Sequence, residues 1–402
     1  MVLSKYEQEG IPIQLPKEGA TETKGKDARK NTFAAVKLIT QVVRSSLGPR
    51  GMDKMLVGST GNVTITNDGT TILKEIDIEH PIAKMMVEVA KSVDNEAGDG
   101  TKSVVVLAGA LVENAEELFN KDVHPTIIVE GFRAASKNAI EYLKKISIEI
   151  DPKDRSFLNK IAMTSLASKM VPTNSKILSD TAIDAALNVA DEFEGSKLKI
   201  DTDNIKVEKK TGGSFQDTRL VQGIVIDKEI AHAGMPKKIQ GAKIVLLNSA
   251  LEIEKTKSDS KLNISSPGQM QNYLYEEERI LESMVDRISA SGANVVLCQK
   301  GLDDIVQHYL AKEGITAVKR IKESDMSKLS KATGARIVTN TDELSNDDIG
   351  LAELVEERKI ETDKWVFIEG CKNPKSVTIL IRGGSQRLVD EADRSIHDAL
   401  MA

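Results

Sequence analysis

The chain has 402 residues, with 61 acidic against 55 basic side chains and a net charge of −6, so a nucleic-acid-binding surface is not its main business. Apolar residues make up 40 % of it but aromatics only 3 %, which leaves Leu, Ile, Val, Met and Ala to fill the cores of the two or three domains this length allows. Cys298 and Cys371 form no motif, no basic-then-apolar leader opens the chain, and the longest uncharged apolar run, 103–112, is far short of the roughly 18 residues a membrane crossing needs. These features predict a cytoplasmic protein that enters no membrane.

Residues 1–20, punctuated by Gly10, Pro12, Pro16 and Gly19, read as an arm that packs late or not at all. From Asp27, the positions Phe33, Val36, Ile39, Val43 and Leu47 recur at helical spacing, and Gly48-Pro49 stops that helix. Lys54–Val57 and 62–66 flank Gly58-Ser59-Thr60-Gly61 as a β-hairpin, which empties into the turn Asn67-Asp68-Gly69. Pro81 opens a helix that leads to Gly98-Asp99-Gly100-Thr101-Lys102-Ser103. A buried helix then runs to Phe119, and Pro125 opens another through Ile128, Phe132 and Leu143. The first 150 residues are therefore predicted to be helical with one hairpin.

Two more helices are predicted over 153–168 and 174–193, followed by short strands at 205–208, 220–226 and 243–247. The polar stretch 255–269 is an exposed excursion; it ends in Ser266-Pro267-Gly268-Gln269, the start of a helix with Pro at its first position. Segments 294–298, 303–312, 315–319, 326–333 and 336–338 alternate as βαβαβ, which implies a parallel sheet covered by helices. Strands at 365–368 and 376–381 precede a helix over 385–402. No Gly, Asn or Pro closes that helix, so the chain is expected to break off inside it.

The turn from Gly98 to Ser103 carries the most chemistry. Two glycines let the backbone fold sharply around Asp99, and a Gly-rich turn at a helix N-terminus favours an anion through its unpaired N–H groups and the helix dipole. An acid in the same turn suggests a cation carried in with that anion, hence a Mg-nucleotide. The same six residues are also ordinary turn chemistry. A P-loop is excluded, because Thr101 and Glu96 stand where its glycines belong. A nucleotide hydrolase needs one acid for Mg and another to position or deprotonate water. Asp68, Asp99 and Asp398 are the candidates, although spacing alone does not bring them together and each could equally be a solvated surface acid. His80, His124, His232, His308 and His397 make no metal pair, no Gly-x-Ser-x-Gly elbow is present, and Lys209-Lys210 and Lys237-Lys238 are too short for a nucleic-acid stripe.

Taken together, Ser46-Leu47-Gly48-Pro49-Arg50-Gly51-Met52-Asp53-Lys54-Met55-Leu56, Asn67-Asp68-Gly69 and Gly98-Asp99-Gly100-Thr101 come in the order and spacing of a known family. Thr164-Ser165-Leu166, Ile381-Arg382-Gly383-Gly384 and the run from Asp390 to Leu400 extend the match over essentially the whole chain. The sequence resembles the group II chaperonins, most of all the archaeal thermosome subunits and more distantly the eukaryotic cytosolic chaperonin. The resemblance implies an ATP-driven, Mg-dependent folding machine: a double ring of sister subunits that encloses unfolded or partly folded proteins, with no nucleic acid and no membrane as partner. It implies a multidomain α and α/β fold, with a helical equatorial domain over 1–150 and an α/β intermediate domain formed by 151–218 and 370–402. An inserted α/β apical domain would occupy 219–369, and its helical lid protrusion near 255–290 would make a separate co-chaperonin unnecessary.

Carried over by motif, Leu47, Gly48 and Pro49 would line the phosphates and Asp99 would ligate Mg. Gly100, Thr101, Lys102 and Ser103 would wrap the β- and γ-phosphates, Asp68 and Asp398 would position and activate the attacking water, and Lys169 would sense the γ-phosphate. Two departures stand out. Lys102 replaces the second Thr that most of the family carries, a cation beside phosphates being electrostatically reasonable. The family also continues beyond Asp398-Ala399-Leu400 into a second equatorial half that holds the ribose. A truncated chain is therefore expected, with only the first equatorial half present and a broad apolar face of 1–150 uncovered. A binding module that holds unfolded chains without an ATP cycle is the alternative.

Overall fold

The computed structural model describes residues 24–48, 50–58, 61, 63–167, 175–193, 197–253, 267–371 and 374–402. The polar excursion at 254–266 and two of the site residues expected from the sequence, Pro49 and Lys169, lie outside them. Among the described residues no helix is long and apolar enough to cross a membrane.

The first part of the chain is helical. It comprises α1 (Gly25–Arg44), the hairpin strands β1 (Lys54–Val57) and β2 (Val63–Thr66), and the helices α2 (Gly69–Glu75), α3 (Pro81–Ala97), α4 (Thr101–Asn120) and α5 (Pro125–Ile146). The hairpin pairs Lys54 with Thr66 and Val57 with Val63, as the turn residues between the strands foretell. α3 and α5 both start with Pro at the first helical position, where its missing N–H costs nothing, and His80 and His124 cap them by accepting from the backbone N–H of Ile82 and Thr126. Val36, Ile39 and Val43 of α1 meet Leu73 of α2, Met86 and Ala90 of α3 and Val105 of α4 in a small core. α5 buries Ile128 alone.

The second part packs α6 (Arg155–Leu166) and α7 (Ser175–Val189) beside the hairpin of β3 (Asp191–Phe193) and β4 (Lys197–Lys199), and beside β5 (Ile205–Thr211) and β6 (Arg219–Val221). The helix predicted over 174–193 ends early, because Asp191–Phe193 exchanges backbone hydrogen bonds with Lys197–Lys199 instead of with the preceding helical turn. The strand predicted over 220–226 is also divided. At Gly223, with φ +143°, the chain leaves one sheet for another, and a Cβ there would stand 2.0 Å from the Ile368 carbonyl oxygen.

Beyond that break lie β7 (Gly223–Ile226), β8 (Lys238–Leu247), α8 (Pro267–Ala290), β9 (Val295–Cys298), α9 (Asp304–Lys312), β10 (Thr316–Val318) and α10 (Glu323–Thr333). β11 (Ile337–Val338), β12 (Gly350–Ile360) and β13 (Asp363–Glu369) complete this unit. A seven-stranded sheet runs β10-β9-β8-β12-β13-β7, with β11 beside β8. Its β8–β11 portion is parallel and helix-linked, as the βαβαβ pattern requires, whereas β12, β13 and β7 are antiparallel. Leu246, Val296 and Leu297 of the strands meet Leu281 and Val285 of α8, Leu310 of α9 and Leu329 of α10 in the largest core.

The chain then returns to the smaller sheet through β14 (Val377–Gly383), which sits between β5 and β6, and finishes in α11 (Gln386–Met401). β5 and β14 pair in parallel although the whole seven-stranded unit separates them in sequence. The two sheets meet at Lys206 on β5. Its buried ammonium donates to the Val225 carbonyl at 2.8 Å and pairs with Glu208 and with Asp325 of α10, each at 2.9 Å. The fold is thus a mixed multidomain α/β architecture with separate cores.

Candidate functional site

Three turns of the helical part come together at the N-terminal end of α4. The first follows α1. Ser46 donates its hydroxyl to the Val43 carbonyl at 2.7 Å, and the Met52 N–H reaches back to the Ser45 carbonyl at 2.9 Å, so Leu47 and Gly48 ride on a closed loop. The second is Asn67-Asp68-Gly69, where Asp68 caps α2 by accepting from the Thr71 N–H at 2.7 Å. The third is Gly98-Asp99-Gly100. Gly98 and Gly100 both take left-handed backbone conformations (φ +66° and +82°), and between them the exposed Asp99 carboxylate accepts the Gly100 N–H at 2.7 Å.

Lys102 ties these turns together. It is 8 % exposed, and its ammonium donates to the Ser46 carbonyl at 3.1 Å, to the Asn67 carbonyl at 3.1 Å and to the Asn67 Oδ1 at 2.6 Å. A buried ammonium is tolerable only with such acceptors around it. Asn67 in turn donates to the Gly51 carbonyl and to Asp53. Gly69 lets the ends of α2 and α4 abut, since a Cβ there would meet Lys102 Cγ at 2.6 Å and Thr101 Oγ1 at 2.7 Å.

The end of α11 closes over this assembly. Met401 lies where a Cβ on Gly98 would project, 2.1 Å from its own Cβ. Asp398 of α11 and Asp68, remote in sequence, line one cavity of about 280 Å³ with Thr70, Thr71, Lys74, Asp94, Asp393, Arg394 and His397. Four acids face two permanent cations there, so the cavity favours a cation. Asp68 and Asp398 are 7 % and 4 % exposed. Nearby, Lys209 bonds Asp393 at 3.0 Å and Asp390 at 2.8 Å; burial opposes its charge, but the two carboxylates outweigh this and raise its pKa.

Of the residues singled out in the sequence, Asp68 and Asp398 therefore share a cavity. Thr101 and Lys102 stand against Gly69 beside it, Leu47 and Gly48 are linked to it through Ser46 and Lys102, and Asp99, Gly100 and Ser103 occupy the turn and first helical turn that Met401 approaches. Lys74, Asp94 and Arg394 escaped the sequence reading, and His397 was weighed there only as a metal ligand. Arg394 lies one helical turn before Asp398, a spacing that would have flagged it.

Among the described residues no three acids, histidines or cysteines are grouped to hold a metal by themselves. Mg, however, is commonly held by one or two carboxylates with the remaining positions left to water and phosphate oxygens. Asp68 and Asp398, which share the cavity, and the exposed Asp99 in the turn before the 20-residue helix α4 are hard oxygen donors of the type such a metal–phosphate group takes.

A helical part whose turns are closed by a helix returning from a distant α/β unit is the architecture of a known class: the chain belongs to the TCP-1/cpn60 chaperonin family, which it matches over residues 39–402. It is 52 % identical over 392 residues to thermosome subunit alpha of Archaeoglobus fulgidus, covering 98 % of this chain and 72 % of that protein. The thermosome subunit of Pyrococcus horikoshii is 54 % identical over 391 residues, 97 % of this chain and 71 % of its own length. That of Methanopyrus kandleri is 53 % identical over 392 residues, 98 % and 72 % respectively.

Proposed function

We propose that this chain acts as an ATP-hydrolysing chaperone subunit in the cytoplasm, working in a double ring with sister subunits to enclose and fold non-native proteins. In this reading the helical part over 1–150 is equatorial, 151–218 and 370–402 are intermediate, and 219–369 is apical, with the lid protrusion near 255–290. The single observation that supports it most is the meeting of Asp68 and Asp398 in one cavity at the end of α4.

Bound Mg-ATP supplies the phosphoanhydride to be cleaved and a divalent charge that offsets the phosphates. The chain's own residues do the rest. Asp99 would hold the metal, the backbone N–H groups of Thr101 and Ser103 at the α4 terminus would serve the phosphates, and Gly100, whose own N–H is taken by Asp99, would supply the turn between them. Leu47 and Gly48 would line the other side, and Pro49 is assigned there by its motif alone. Lys102 adds positive charge and fixes the Leu47–Gly48 loop against the Asp68 turn. Asp68 and Asp398 orient a water, one of their carboxylate oxygens taking its proton. Lys169 reports the γ-phosphate. Because Asp398 arrives on α11, the site is complete only when α11 sits against the helical part, and closure gates turnover.

The test is Asp398→Ala in the intact protein. ATP turnover falls by about 10²–10⁴-fold, as removal of a proton-handling group does, while nucleotide binding measured by calorimetry persists. Parent-like turnover would remove Asp398 from the mechanism.

A further inference from the structure

Outside the cavity, α11 makes a second contact with the Asp68 turn that the proposed chemistry does not use. Glu391 is 2 % exposed, yet it is a carboxylate. Its Oε2 accepts from the Thr66 hydroxyl at 3.3 Å and from Nε and Nη2 of Arg394 at 3.1 and 2.6 Å, while Oε1 is buried with no hydrogen-bond partner. Thr66, at the end of β2, is fully buried, and its Oγ1 also accepts the N–H of Asp68 at 3.0 Å. A half-satisfied buried carboxylate is costly to fold, and an apolar side chain would fill the same space more cheaply. Packing therefore does not explain Glu391.

We propose that Glu391 and Thr66 form a positioning pair that fastens the Asp68 turn to α11 and thereby sets the spacing of Asp68 and Asp398; this rests on the reading of the site given above. Glu391 and Asp398 are seven residues apart, about two helical turns, and so project from one face of α11. Along that face the helix meets the helical part through Glu391 at Thr66 and through Asp398 at the cavity, before Met401 reaches Gly98 at its end. The Thr66 hydroxyl has one hydrogen. Because it goes to Glu391, a lone pair is left aimed at the Asp68 N–H, and the orientation of α11 is transmitted to the backbone of Asp68.

The pair is tested in the intact protein with Thr66→Val, which keeps the shape and removes the hydroxyl, with Glu391→Ala, and with Thr66→Ser as the conservative control. Steady-state ATP kinetics and hydrogen–deuterium exchange of residues 63–73 without nucleotide are both read. Thr66→Val and Glu391→Ala each lower kcat by about tenfold, the size expected when a positioned group drifts, with KM within twofold. The double variant is no worse than either single one, Thr66→Ser restores kcat, and exchange at Asp68 quickens in both damaging variants. Unchanged kcat and exchange in both, with Asp398→Ala inactive, overturns the positioning pair and leaves the site reading standing. A fall in kcat matched by a rise in KM, unrescued by Thr66→Ser, also overturns it by showing a general structural defect. If Asp68→Ala and Asp398→Ala turn over ATP like the parent, the site reading itself falls and takes the pair with it.

Discussion

The helical part and the seven-stranded part solve the burial problem in opposite ways. In the seven-stranded part the strands Gly223–Ile226, Val295–Cys298 and Thr316–Val318 are buried along their whole length, and helices close the core. In the helical part Leu107, Ile127 and Leu143 are 60 %, 61 % and 59 % exposed, and α5 contributes a single buried side chain. The first is a self-sufficient fold. The second spends its internal contacts on arranging turns, and its outer apolar face gains stability only from whatever comes to lie on it. The candidate site belongs to this second, less consolidated region, so its geometry depends on α11 more than on its own core.

A cavity in the larger core is the strongest way to break that contrast. Leu246→Ala, at a fully buried strand position, lowers the unfolding free energy of the seven-stranded part by about 2–5 kcal/mol. Denaturant titration followed by Trp365 emission reads it, and a loss below about 1 kcal/mol would show that this core is no tighter than the helical one. Thiol chemistry comes next. Burial pushes Cys298 and Cys371 up to about 11, leaving roughly a hundredfold less thiolate at neutral pH than an ordinary cysteine. Alkylation in the native protein is slowed by at least about that factor relative to the unfolded chain. Rapid native labelling of either would mean that the core opens readily. The smallest effect lies at the other extreme: Leu143→Ala on α5 changes stability by less than about 0.5 kcal/mol, as exposed substitutions do. A larger loss in the same titration would reveal that the outer face is covered after all.

Much of this was legible in the sequence, and the exceptions have physical reasons. The Lys54–Val57 strand, the Pro81 and Pro125 helix starts and the βαβαβ run were readable because turn residues and apolar periodicity agreed locally. β12 was passed over. Its Glu356, Glu357 and Arg358 look like loop residues until Lys238 and Glu369 on the flanking strands, and Lys237 just before β8, are seen to pair with them. The split at Gly223 depends on which sheet each half joins, a tertiary choice that no local pattern records. At the site, Asp68, Asp99 and Asp398 stood out by motif. The gathering of Asp68 and Asp398 and the Thr66–Glu391 contact came from packing between segments more than 300 residues apart, and the role of Asn67 from a side-chain contact with Lys102, 35 residues away.

The parallel pairing of β5 with β14 has a consequence for how the molecule is made. While the chain is being synthesised, Ile205–Thr211 must wait for its partner until the entire seven-stranded unit has been produced. Closing so long a loop costs little more than closing one of half the length, about 0.6 kcal/mol per doubling, and the unit in between can condense on its own first. Its ends, β7 and β13, are hydrogen-bonded neighbours, so its condensation brings β6 and β14 together and shortens the effective gap. The order of assembly is therefore written into the topology: the inserted unit forms early, the small sheet zips behind it, and α11 docks on the Asp68 turn last. A ribosome-stalled chain ending before Val377 should hold a finished seven-stranded unit and an unassembled site.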